Sequence, residues 1–168
     1  MLSELGLLTG RMVTGVLMAG HGSQKLFGWF GGHGMEGTTH FIETLGFRPP
    51  RFWAFMAGGS EFGSGVLTAL GLFHPIGPIM MLAPMWMALK KAHWDRPIWA
   101  QEGGGELAVG NMAAAVVLAT NGPGRFSADR LLGIKLPWPF VVLTVVATAG
   151  GIVAGMTTGP ESAEQVKA

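Results

Sequence analysis

The sequence predicts an all-α protein built as a transmembrane helix bundle. Hydrophobic residues make up 49% of the 168-residue chain and charged residues only 12%, unlike the composition of soluble domains. Five apolar segments follow one another along the chain. We therefore expect a four-helix membrane domain over residues 1–136, an additional transmembrane helix over residues 137–158 and a polar tail over residues 159–168.

Composition excludes several classes of function. The net charge is +1 and no basic stripe is present, so nucleic acid is not an expected partner. The chain has no cysteine, so any redox chemistry must come from a bound cofactor or a partner protein. Residues 1–11 contain an acid before any base, and we interpret them as retained rather than as a cleaved signal peptide.

The first two segments combine an apolar composition with charged residues. The first covers residues 5–27 and contains Arg11, His21 and Lys25. The second covers residues 52–73, with Glu61 as its only charge. Its length meets the roughly 20 residues that a membrane core requires.

Three further segments complete the predicted bundle. Residues 75–89 contain three prolines, which a membrane helix tolerates where neighbouring groups satisfy the freed carbonyls. Residues 104–121 form the fourth segment, with Glu106 near its start. Residues 138–156 form the fifth, which has no charge.

A short helix is expected between the first two segments. Residues 37–47 place Thr38, Phe41, Ile42 and Leu45 at helical spacing, and a Pro-Pro pair follows. This pattern predicts an amphipathic helix lying at the membrane interface. We interpret it as an ordinary connector rather than as a lipid-sensing device.

A second short helix is expected after the fourth segment. Residues 121–133 contain a Gly-Pro-Gly turn, then Ser127 as the N-cap of a helix that begins near Ala128. The charged residues of this loop are Arg125, Asp129 and Arg130. A salt-bridge cluster at the interface and an anion site are both consistent with them.

Two other patterns concern helix ends and helix packing. Glu102 and Glu106 are one helical turn apart and enter the fourth segment, where acids favour the positive N-terminal end of a helix. Small-residue pairs at spacing four allow membrane helices to approach closely. The pairs present are Gly59 with Gly63 and Gly151 with Gly155.

Basic residues favour an N-terminus outside the membrane. In that orientation seven basic residues lie on the inner side and four on the outer side. The inner residues are Lys25, Arg48, Arg51, Lys90, Lys91, Arg96 and Lys167. Tryptophans near the segment ends fit an aromatic belt.

Four ionisable residues at membrane depth form the candidate polar pocket. At 100° per residue, Arg11, His21 and Lys25 share one broad face of the first helix, and we expect that face to point inward. Glu61 lies mid-segment, where inserting an acid costs about 2.5–3.5 kcal/mol, so it requires a partner among these bases. A structural ion pair and a functional site both fit this pattern.

Haem and metal sites are not expected. A bis-histidine haem would need a second histidine at the depth of His21, whereas His74 and His93 lie at segment ends. No metal-binding, phosphate-loop or catalytic-triad motif occurs in the sequence.

Five stretches together resemble the DoxX family of small bacterial membrane proteins. They are RMVTGVLMAGHGSQKLFGWFGG, FWAFMAGGSEFGSGVLTALGLF, His93, GGGELAV and NGPGRFSADRLL, and their order and spacing agree over roughly residues 9–133. The family often has an aromatic residue before the glutamate, where this chain has Gly105. The residues that match family motif positions are Arg11, His21, Gly22, Lys25, Glu61, Glu106, Gly124, Arg125, Ser127 and Asp129.

The resemblance implies a four-helix, multi-pass protein of the bacterial inner membrane, with the fifth helix as an addition. The family name comes from a subunit linked to thiosulfate and quinone oxidation, and relatives are associated with oxidative-stress and thiol-redox complexes. The implied partners are the lipid bilayer and other membrane or redox proteins. A homo-oligomer is left open.

Three functions compete on these grounds. The first is a redox-complex subunit whose pocket holds a quinone, with His21 and Lys25 donating hydrogen bonds and Glu61 accepting a proton. The second is a scaffold or assembly factor without a ligand. The third is a transporter of small solutes or ions, suggested by the proline-broken third segment.

Overall fold

The computed structural model describes residues 1–158, and all regular structure in that range is helical. The all-α prediction is confirmed, and the predicted tail, residues 159–168, lies outside the described residues. The helices are α1 (Leu2–Phe27), α2 (Gly34–Thr44), α3 (Pro50–Leu70), α4 (Ile76–Ala92), α5 (Glu106–Thr120), α6 (Ala128–Leu132) and α7 (Trp138–Met156), with 3-10 turns at Trp29–Gly31 and Ala100–Glu102.

Two of the described helices are long and apolar enough to cross a membrane. They are α1, with 26 residues, and α7, with 19 residues. The apolar helix α5 is shorter. The number of membrane-spanning helices, expected to be five, stays a prediction.

The expected interfacial helix is α2, which begins at Gly34 and ends at Thr44 rather than covering residues 37–47. Thr38 and Ile42 of the predicted stripe are buried, whereas Phe41 is 52% exposed. The buried stripe is narrow because α2 packs by one side only, against α1 and α3.

The prediction that Glu102 and Glu106 begin one helix is wrong. Glu102 ends a 3-10 turn, and the chain then passes through Gly103 with a φ of 78°, so only Glu106 lies in the first turn of α5. A side chain at Gly104 would collide with the backbone of the preceding loop. The run of glycines is therefore a steric requirement of this tight connection.

Helices α1 and α3 form the closest helix pair in the bundle. A side chain at Gly15 would collide with the backbone of Gly65 and Ala69, and one at Gly22 with the backbone of Gly58. The order of these contacts makes the two helices antiparallel. Glycines seven residues apart, about two helical turns, let the two backbones touch along their length.

The glycine pairs predicted at spacing four do not carry this contact. Gly63 and Gly151 have open space where a side chain would begin, and Gly59 meets only a ring atom at 4.0 Å. Gly155 alone of the four packs closely, against Met87 of α4. Spacing seven prevails because nearly aligned helices return to the same face every two turns.

The remaining helices pack in sequence. Helix α4 lies between α3 and α5, and α7 packs on α4. Helix α7 runs parallel to α4, since Lys91 Nζ near the end of α4 lies 3.5 Å from the carbonyl of Met156 at the end of α7. The bundle therefore has a Met1 end, where α1 begins, and an opposite α2 end, where α1, α4 and α7 end.

We predict that Gly65→Ala destabilises the protein and that Gly63→Ala does not. The methyl group at position 65 would meet backbone atoms of Gly15 and Ala19, which cannot rotate away, so we expect a loss of about 1–3 kcal/mol. Position 63 lies on the same helix and faces open space. Thermal unfolding of the purified variants in detergent measures both stabilities. Equal unfolding midpoints for Gly65→Ala and Gly63→Ala would contradict the packing of α1 against α3.

Candidate functional site

An ion pair between a buried carboxylate and a partly exposed lysine joins α1 to α3. Lys25 Nζ donates a hydrogen bond to Glu61 Oε1, and the side chain of Glu61 is 2% exposed against 35% for that of Lys25. The pair forms because the contact of Gly22 with Gly58 holds the two backbones together one turn away. The second carboxylate oxygen, Oε2, is sealed from solvent and has no partner among the described residues.

The other two bases of the predicted pocket lie elsewhere. His21 is exposed, and its Nδ1 lies 3.3 Å from Gln24 Oε1 of the same helix. The expectation that all three bases point inward together is therefore wrong. On the helical wheel His21 is about 80° from Arg11, which is buried, and this rotation carries its ring off the face that contacts α3.

Arg11 is buried at the Met1 end, away from Glu61. Its Nη1 donates to the carbonyl of Pro123 at 2.7 Å, and its Nη2 donates to the carbonyl of Phe126 at 2.5 Å. A side chain at Gly71 would collide with the guanidinium. Arg11 therefore holds the loop after α5 against α1 and the end of α3.

Asp129 supports the same junction through backbone groups. Its carboxylate accepts hydrogen bonds from the backbone N–H groups of Phe73 and His74, both at 2.8 Å. Its own N–H donates to the carbonyl of Gly71 at 3.1 Å. Within residues 1–158 no salt bridge joins Asp129 to an arginine, so this cluster is made of backbone hydrogen bonds rather than ion pairs.

The remaining motif residues of this loop have local contacts. Ser127 is the N-cap of α6, as predicted, and its Oγ accepts from the N–H of Arg130 at 3.3 Å. Arg125 is exposed, and its backbone N–H donates to Glu4 Oε2 at 2.8 Å. Whether any of these groups has a functional role stays a prediction.

Glu106 and His93 lie at the connection between α4 and α5. The backbone N–H of Glu106 donates to the carbonyl of Ile98 at 2.9 Å. His93 Nδ1 lies 2.7 Å from the carbonyl of Gly103. Both contacts close the glycine-rich loop, and the role of the Glu106 side chain stays a prediction.

A cavity of about 520 Å³ lies beside the ion pair. Its floor is one face of α4, its walls are α3 and α7, and residues of α2 close one end. We call this cavity the trough. The lining is mainly apolar, and its ionisable members are Lys25, Glu61, Lys91 and His93.

The ion pair lies level with the middle of this trough. Gly77 of α4 packs against Thr68 of α3, and because the two helices are antiparallel, Glu61 is level with Pro84, seven residues further on. Gly155 of α7 packs against Met87, which places Gly151 about one turn back. Gly151 therefore lies at the level of the ion pair, on the α7 wall of the trough.

Sequence reasoning missed the contribution of α7 to this site. Three lining residues of α7 are Thr144, Thr148 and Gly151, and they recur at intervals of four and three on a helix otherwise rich in valine. This stripe of small residues is a readable signal. The sequence alone does not say which helix the stripe faces.

Comparisons with known proteins cover part of the chain. The family model described as DoxX matches residues 6–94. A relative from Bacillus subtilis (strain 168), named "Putative oxidoreductase CatD", is 36% identical over 69 residues, which are 41% of this chain and 46% of that protein. The chain thus spans just under half the length of this curated relative. No solved structure matches the chain.

We predict that the ion pair is coupled energetically. Lys25→Met leaves a buried carboxylate unpaired, and we expect it to cost about 1–3 kcal/mol, less than for a fully buried pair because Lys25 is 35% exposed. Glu61→Gln keeps the shape of the side chain and should cost less than Glu61→Ala, which also opens a cavity.

The double variant Lys25→Met/Glu61→Gln should recover part of the loss, because it leaves no unpaired charge. Thermal unfolding of all four variants in detergent gives the coupling free energy. Additive effects, or midpoints equal to wild type, would contradict the pairing.

Proposed function

The chain belongs to the DoxX family, a membrane-associated family, and from this premise we propose that it is a multi-pass protein of the bacterial inner membrane and a subunit or accessory of a redox system. We further propose that the trough holds a quinone-type molecule, with a polar ring at Lys25 and an apolar tail along the helices.

The outer surface of the bundle supports a lipid environment. Large apolar side chains cover it, among them Val16, Leu143, Val146 and Val153, which are 53–62% exposed. Of the 19 residues of α7 only Gly155 is buried. Lipid accepts such a surface, whereas in water a patch of this kind is an aggregation hazard.

The lengths of the helices support five crossings. Helices α3 and α4, with 21 and 17 residues, fall within the roughly 17–25 residues that span a bilayer core. Helix α5 has 15 residues, and we propose that it crosses together with the buried loop at Gly104 and Gly105 that precedes it. Irregular backbone is tolerated at membrane depth where protein covers it.

The observation that carries the redox proposal is the partly exposed Lys25 beside the trough. The volume of the trough, about 520 Å³, lies within the roughly 300–1,000 Å³ typical of small-molecule sites. Its rim is exposed at Met56 and Leu143, so a ligand dissolved in the bilayer would enter from the side. An apolar channel with a cationic donor near its middle suits a molecule with a carbonyl head and an apolar tail.

An electron-transfer partner is part of the redox function that we propose. The sequence has no cysteine, and the described residues contain no group of three His, Asp or Glu side chains that could hold a metal. The curated relative carries the name of an oxidoreductase. We propose that a bound quinone exchanges electrons with a separate redox protein, and that this chain binds and orients the quinone.

The proposed topology predicts that the two ends of the bundle lie on opposite sides of the membrane. The chain has no cysteine, so single thiols can be added at Leu131, which is 85% exposed near the Met1 end, and at Gln101 near the α2 end. With the N-terminus outside, a membrane-impermeant maleimide should label Leu131→Cys in spheroplasts and Gln101→Cys only after permeabilisation. Labelling of both from one side would contradict five crossings.

The proposed site predicts that filling the trough removes the ligand. Gly151 lines the trough and a Cβ added there has no atom within 4 Å, so we expect Gly151→Leu to fill part of the trough; Gly150→Leu adds the same side chain on the same helix outside the trough lining. We expect quinone that co-purifies with the wild type to fall at least about tenfold in the first variant, since a ligand and the new side chain occupy the same space.

Liquid chromatography of solvent extracts, normalised to protein, measures this loss. Gly150→Leu should retain the quinone, and both variants should unfold at the wild-type temperature. Retention of the quinone in Gly151→Leu would contradict the site, and absence of quinone from the wild type would favour the scaffold function.

A further inference from the structure

We infer that the trough selects an uncharged head group that accepts hydrogen bonds, a ring carbonyl, over both the corresponding hydroxyl and a carboxylate. This inference rests on the proposed function, because it specifies the ligand of the same trough. In terms of ligands, we expect the trough to bind the oxidised form of a quinone more tightly than its reduced form. We also expect it to bind the quinone more tightly than an anionic lipid of similar shape.

The first step is the donor capacity of Lys25. An ammonium group has three N–H donors and no acceptor. In the described part of the chain, Nζ uses one of them, toward Glu61 Oε1. The side chain is 35% exposed and lines the trough. Two charged donors are therefore available to a ligand, and such groups bind best to an oxygen that only accepts.

The second step is the lack of a strong acceptor facing the ligand. Within residues 1–158, Glu61 is the one carboxylate in the trough lining, but its Oε1 is taken by Lys25 and its Oε2 is sealed from solvent. Ser60 and Thr144 already donate their hydroxyl protons to Ala57 and Phe140 of their own helices. A ligand hydroxyl would find only neutral oxygens, which are weaker acceptors than a carboxylate.

The third step is the local balance of charge. Glu61 neutralises Lys25, so the level of the ion pair has no net charge to attract an anion. A carboxylate bound there would add an uncompensated charge between apolar walls, which is costly. A carbonyl accepts the two hydrogen bonds and adds no charge.

The other ionisable residues of the trough lie at its α2 end. Lys91 is seven residues beyond Pro84 on α4, which is roughly 10 Å along the axis, and His93 follows it. Lys91 is directed toward the carbonyl of Met156, and His93 toward that of Gly103. These two groups provide a separate position where an anionic lipid would bind. The test must distinguish binding at this position from binding at the ion pair.

The test compares three probes that share one tail length on the purified full chain in nanodiscs. The probes are a decyl benzoquinone, its hydroquinone kept reduced under anaerobic conditions, and decanoate. We expect the quinone to bind at least about tenfold more tightly than either of the others, a difference of about 1.4 kcal/mol in binding free energy.

Redox titration provides an independent readout. Tighter binding of the oxidised form lowers the midpoint potential of the bound couple, by about 30 mV for each tenfold preference in a two-electron reaction. The double variant Lys25→Met/Glu61→Gln should nearly abolish both the binding preference for the quinone and the shift of the midpoint potential. Lys90→Met is the matched control, because Lys90 is a lysine of α4 outside the trough lining, and it should change neither.

The outcomes distinguish a failure of this inference from a failure of the proposed function. Equal or tighter binding of hydroquinone or decanoate, with all binding still lost in Gly151→Leu, would overturn the head-group selectivity and leave the trough as the ligand site. Decanoate binding lost in Lys91→Met would assign an anion site to the α2 end instead. No binding above the Gly151→Leu background by any probe would overturn the site and the inference together. The wild-type ratios suffice if the double variant does not fold.

Discussion

The close antiparallel contact of α1 with α3 is the constraint on which the rest of the structure depends. Glycines seven residues apart on both helices bring the backbones together, and this contact places Lys25 beside Glu61. A carboxylate that is 2% exposed is tolerated only with a nearby counter-charge. Packing and electrostatics thus require each other, because larger side chains at the glycine positions would separate the two charges and leave Glu61 unpaired.

The position of the ion pair beside the trough, rather than its composition, relates it to a ligand site. Glu61 is buried behind Lys25, so the trough meets a cation whose charge is already balanced. Helix α7 forms the opposite wall, although it lies outside the residues matched by the family model. The family segment therefore supplies the polar group, and a helix beyond the matched residues supplies the space in which a ligand would lie.

The polar residues of the family motif divide into two groups with different surroundings. Arg11, Ser127 and Asp129 bind backbone groups at the Met1 end and join α1, the start of α4 and the loop after α5. Lys25 and Glu61 line the trough instead. The face of the helix alone does not make this division, because Arg11 and Lys25 are only about 40° apart on the helical wheel of α1. Along the helix axis they are about four turns apart, roughly 21 Å.

The sequence by itself determined the helical class, the bounds of α7, the N-cap at Ser127 and the need of Glu61 for a basic partner, because these follow from periodicity, turn chemistry and the cost of a buried charge. Only the tertiary structure decided that the partner is Lys25, that His21 faces outward, and that α7 encloses a trough at the same level. The reason is physical: a local pattern specifies which face of a helix is apolar, whereas the choice of neighbour depends on backbone contacts between residues distant in sequence.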